Sequence, residues 1–250
     1  MATKEWLDAR WKAVGGAVIA IAAAVLMVLL YDFLQGTLAQ LNTANIPQSA
    51  RDQLAGSLGS FDVYIWGQWF AKNGQLILAA LAAFLGGGLI AGEVGKNTIY
   101  FLLAHPVSRE RVLLTKWAVS AGVLALVALL GGLTLWLTAA LDGHPQGLGG
   151  VLLSSGLLWL GVLSVLGVAL LLSVLFNDVL RPVALTLVLV ALAGLPSFFP
   201  HGADWSLPNY WASLPAYQGA AFPLKEVVVC LMAAALPFLG ALGLFRTRAY

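Results

Sequence analysis

Charge is what this chain lacks most. Only 10% of its 250 residues are Asp, Glu, Lys or Arg, while 60% are hydrophobic. A soluble domain carries roughly 25% charged residues, so most of this surface must face something other than water. The formal net charge of +2 is too small to suggest a nucleic-acid partner. One cysteine, Cys230, excludes an internal disulfide and a cysteine metal cage. Three histidines (His105, His144 and His201) and three methionines, scattered along the chain, make no metal path. No Gly-x-Ser-x-Gly or His-Glu-x-x-His pattern is present, so neither chemistry is expected.

What the chain does have is long uncharged runs. Crossing a bilayer takes about 20 mostly apolar residues, and six runs qualify: 13–31, 73–92, 117–141, 151–176, 182–199 and 227–245. In lipid each must be helical, because unsatisfied backbone groups there cost several kcal/mol apiece, on the order of a lost hydrogen bond or more. The expectation is one all-α integral membrane domain over 1–250 with six transmembrane helices. Asp178 is placed to cap the fifth span, with Pro182 in its first turn, where the missing N–H costs nothing. Counted as uncharged runs, the spans have no acid or base near their middles. This argues against a proton- or sodium-driven carrier, whose relays need such groups. Asp32 and Asp62 read as solvated carboxylates at span ends rather than as an intramembrane pair.

Lysines and arginines orient the chain. With the N-terminus in the cytoplasm, ten lie inside and Arg51, Lys72 and Lys225 lie outside, which predicts both termini to be cytoplasmic in a multi-pass cell-membrane protein. The run at the start is too long for a signal-peptide core, and Glu5 and Asp8 precede it. Residues 1–12 instead read as an interfacial helix, with Leu7 and Trp11 on one face and Lys4, Asp8 and Lys12 on another. Two external loops are expected. Loop 32–72 ends in Tyr64, Trp66, Trp69 and Phe70, an aromatic cluster suited to the membrane interface. Loop 196–224, rich in proline and aromatics, suits a re-entrant or interfacial hairpin.

Small residues recur every fourth position in span two (Ala79, Ala83, Gly87, Ala91) and span one (Gly16, Ala20, Ala24), a spacing that lets helices pack closely. Gly86-Gly87-Gly88 could also serve as a hinge. The loop between spans two and three, 92–116, then reads GEVGKNTIYFLLAHPVSRERVLLTK. Asn97 or Thr98 can cap a short helix, Tyr100, Phe101, Leu102 and Leu103 form an apolar patch too short to span, Pro106 stops that helix, and Ser108 can cap the next. An exposed apolar patch of this kind calls for a partner. The stretch also looks like a phosphate loop, but position 90 is Ile and Asn97 stands where the magnesium-binding hydroxyl is needed, so no nucleotide site is expected.

Glu93, Gly95, Thr98, Leu102-Leu103 and Pro106-Val107-Ser108-Arg109 between spans two and three resemble the permease subunits of ABC type-2 transporters. The resemblance is specific over about 25 residues and looser over the rest, and Lys96-Asn97 departs from the family's direct Gly-Thr. It implies that 98–105 is a cytoplasmic coupling helix docked on a separate ATPase, with Glu93 and Arg109 as polar hinges. It further implies two ATPase copies carrying the ATP and magnesium, no cofactor on this chain itself, a second permease chain, identical or sister, and export of substrate. The uncharged spans lean towards an amphiphilic cargo. The rival readings are a stand-alone secondary carrier, a non-transporting scaffold and an intramembrane enzyme.

Overall fold

A computed structural model describes residues 2–41, 56, 58–99 and 108–248. Among these there is no strand, and six helices are long and apolar enough to cross a membrane. They are α1 (Ala2–Leu41), α2 (Phe61–Gly87), α4 (Arg109–Leu141), α5 (Leu148–Leu175), α6 (Leu180–Gly194, extended by a 3-10 turn to Phe198) and α8 (Leu224–Thr247). Two short helices, α3 (Ala91–Gly95) and α7 (Leu214–Tyr217), complete the set. Helix α5 is buried on nearly all sides, as an all-round apolar sequence requires. Helices α2, α4, α6 and α8 pack directly on it, while α1 packs mainly on α4.

The helices outrun the uncharged segments at most ends. Hydrogen bonding does not stop at a charge if the charge finds water or a partner. Residues 2–12, expected to form an interfacial helix, and the first span are continuous in α1. Helix α2 likewise begins at Phe61 and not near residue 73. It runs as a short α-helix, then a π-helix over Trp66–Asn73, then an α-helix over Gly74–Gly87. Lys72, expected in the external loop, is thus the twelfth residue of the 27-residue α2. Most of the aromatic cluster expected at the interface is core: Tyr64, Trp69 and Phe70 are buried, and Trp66 is partly so. Trp69 fills the hollow left by Gly131 of α4, where even a Cβ would meet its ring.

The two ends of the bundle are distinct. One end, here called proximal, holds the start of α1, residues 88–99, the start of α4, the α5–α6 turn and the end of α8. At the distal end Tyr31 meets the rings of Phe61 and His144, and Tyr217 donates to Gln146 Oε1 at 2.6 Å. Loop 196–224 does not stay at that end. Short 3-10 turns at Leu195–Phe198, Ala203–Trp205 and Leu207–Trp211 bring Trp211 against Gly161 of α5. That glycine lies 13 residues into α5, about 20 Å along its axis. Gln75 donates to the Pro208 carbonyl at 3.1 Å, and Cys230 to that of Tyr210 at 3.3 Å. Part of the loop therefore packs inside the helix bundle.

Candidate coupling site

The three glycines at 86–88 give α2 its end. A Cβ on Gly86 would lie 2.6 Å from the Cβ of Ala169 in α5, and one on Gly87 would lie 2.7 Å from Val183 in α6. Close packing thus carries α2 down to Gly87, where the helix stops and a turn at 88–90 re-aims the chain. The N–H groups released by that turn have one acceptor. Ser173 Oγ of α5 takes both Ile90 N–H at 3.0 Å and Ala91 N–H at 2.9 Å. Buried backbone donors need such a partner. Ser173→Ala is therefore expected to lower stability by about 1–3 kcal/mol, visible as a lower midpoint in a thermal melt of the detergent-purified chain.

Helix α3 follows and closes on itself. Asn97 N–H bonds Val94 O at 3.0 Å, and Thr98 N–H bonds Glu93 O at 2.9 Å. With Asn97 at φ +56°, this is a Schellman closure, which needs a left-handed residue at that position. Asn97 thus ends one helix and does not begin the next. Gly95 packs on the α5–α6 turn, where a Cβ would approach the Asn177 carbonyl to 3.2 Å. Residues 100–107 lie outside those described, so Tyr100, Phe101, Leu102, Leu103 and Pro106 are not placed. Chain description resumes at Ser108, which caps α4 by accepting Arg111 N–H at 3.3 Å.

A buried ion-pair network ties this neck to the bundle. Lys116, 3% exposed, bonds Glu93 Oε1 at 3.0 Å and reaches Glu5 at 2.8 Å. Thr98 Oγ1 donates to the Glu93 carboxylate and to the Glu93 carbonyl. Three chain segments far apart in sequence therefore share one ammonium group. A polar cavity of about 400 Å³ adjoins the network, also lined by Asp8, Lys12 and Lys96, and Lys12 donates to Phe84 O at 3.0 Å, just before the glycines. A second tie holds α8. Arg109 donates to the carbonyls of Phe245 at 3.2 Å and Arg248 at 2.6 Å, at the C-terminal end of that helix. Beside it Arg246 pairs with Glu110 at 2.8 Å.

The structure thus joins Glu93 and Thr98 directly, sets Gly95 against a different turn, and carries Ser108 and Arg109 to the start of α4. Ala79, Ala83 and Ala91 are buried along α2 and α3. Sequence reasoning missed Ser173, used Glu5 only as an argument against a signal peptide, and saw Lys116 as an inside charge and as a residue eight past Ser108 in the family pattern, without a partner for either. The signal for Glu5 was an acid, one of two with Asp8, preceding a long apolar run.

A family model described as ABC-2 family transporter protein matches residues 1–202. The chain belongs to the ABC-2 transporter family. The matched stretch of this ABC-2 protein holds α1 through α6, and with them Glu5, Glu93, Lys116 and Ser173, while the α8 carbonyls that Arg109 meets lie beyond it. No curated protein matches the chain. Membership makes it a multi-pass membrane permease in a transport system, and the family implies a partner ATPase.

Proposed function

We propose that this ABC-2 permease is the membrane subunit of an exporter. Two separate ATPase copies drive it by pushing on segment 98–105, and a second permease chain, identical or sister, completes it. Both termini are cytoplasmic in this reading, in keeping with the excess of lysine and arginine at the proximal end. ATP and magnesium reside on the ATPase. The observation that carries the reading is the Glu5–Lys116–Glu93 network. A segment that hung loosely between α3 and α4 would absorb a push. Here its leading edge is bonded through Thr98 and Glu93 to α4 and α1, and its trailing edge through Arg109 to α8. Displacement of the segment therefore moves three helices together.

Leu102 and Leu103 provide the apolar docking contact. Changing both to Asp is expected to weaken co-purification with an ATPase encoded beside this chain by about tenfold or more, since buried anchors dominate such contacts. Permease-stimulated ATP hydrolysis falls with it. If the double variant assembles and stimulates hydrolysis normally, docking through this segment is wrong. Substrate movement that persists without any ATPase would favour a secondary carrier instead.

A further inference from the structure

The distal half of the bundle holds a cavity of about 500 Å³ between α2, α6 and loop 196–224. That is within the range of ligand sites, roughly 300–1,000 Å³. It is remote from the coupling site. Its mouth is apolar and open: Leu76, Leu195 and Phe198 line it and are 63%, 48% and 83% exposed. Its lid is the loop segment carrying Pro208, Asn209 and Trp211. Ser206, fully buried, also lines it, and its Oγ has no partner among the described residues.

One charged residue lines this cavity, Lys72, and no acid does. Its depth makes it unusual. A Cβ on Gly74, two residues on, would lie 3.3 Å from Leu158, ten residues past the start of α5 and so about 15 Å along that helix. Lys72, whose side chain is exposed, is therefore well inside the length of the bundle, and an ionisable side chain at such a height generally marks a site and finds a partner. It forms no ion pair with the described residues. The π-helix Trp66–Asn73 ends one residue beyond it, and irregular turns of this kind are frequent at binding sites.

We propose that this cavity binds an anionic membrane lipid, with its headgroup against Lys72 and Asn209 and an acyl chain along Leu76, Ala80 and Leu187. The exposed apolar side chains Leu76, Leu195 and Phe198 at the mouth suit a ligand that enters from the bilayer. A second copy of the chain fits less well. A two-fold contact through this face would set one basic, acid-free surface against itself.

The test is native mass spectrometry of the detergent-purified chain, titrated with phosphatidylglycerol and with phosphatidylcholine of the same acyl chains. The anionic lipid is expected to bind about fivefold more tightly or better, the effect of roughly one lysine. Lys72→Gln is expected to remove that preference and Lys72→Arg to keep it, while Ala80→Trp reduces binding of both lipids by filling the cavity. Equal binding of the two lipids by the parent chain overturns the proposal, as does a preference that survives Lys72→Gln. If Ala80→Trp converts a dimer to monomers and leaves lipid binding intact, the face is an interface between copies and the proposal falls. The assay involves no ATPase, so a failure here leaves the coupling reading standing, and the reverse holds.

Discussion

Lys116→Met is expected to lower the stability of the purified permease by about 3–5 kcal/mol, the effect of removing one partner from a buried ion pair. Two carboxylates, Glu5 and Glu93, depend on that ammonium, and all three side chains are at most 12% exposed. Without it they face each other out of water. The thermal melt of Lys116→Met should therefore drop well below that of the parent chain. Adding Glu5→Gln and Glu93→Gln to the same chain should recover most of the loss, because uncharged replacements of a buried pair are often close to neutral. Coupling should not recover with it. In the triple variant α1, α3 and α4 lose their shared bonds, so ATP hydrolysis stimulated by the permease should stay below the parent level although the protein is folded. A Lys116→Met variant that melts like the parent would refute the network's structural role. A triple variant with full coupling would refute its mechanical one.

The second large effect is expected at Gly161. Trp211 lies against it so closely that even a methyl group has no room. Trp211 is itself almost fully buried, and the neighbouring bonds from Gln75 to Pro208 and from Cys230 to Tyr210 fix the same loop. Gly161→Leu must either expel the indole or distort α5, at about 1–3 kcal/mol for overpacking with the loss of Trp211 burial added. The expected result is a lower melting midpoint together with rapid proteolysis within loop 196–224, because the loop has no other deep anchor of this size. Protease resistance equal to the parent chain's would show that Trp211 does not pin the loop. The same variant should reduce binding in the lipid cavity, whose lid carries Trp211.

Six helices, their order and the tight turn between α5 and α6 were legible because bilayer thickness and backbone hydrogen bonding act on each segment alone. Ser108 was legible as a cap for the same reason, since its bond to Arg111 reaches only three residues along the chain. Helix limits were less legible. Counting uncharged runs ends a helix at its first charge, and this rule failed at Lys72 and at Lys116. One lines a lateral cavity, and the other meets two acids that the count had placed in separate segments.

Glu5 and Lys116 are 111 positions apart, and nothing local to either predicts the other. Their meeting depends on how α1 packs on α4. Ser173 offers a similar case. A serine near the end of an apolar helix reads as a tolerated polar residue, until α5 sets it beside the two N–H groups that the 88–90 turn leaves without partners. Local composition and spacing therefore carried the membrane class and the helix count. The partners of the charges came from packing, because a buried charge is stable only where the fold brings its counterpart within about 3 Å.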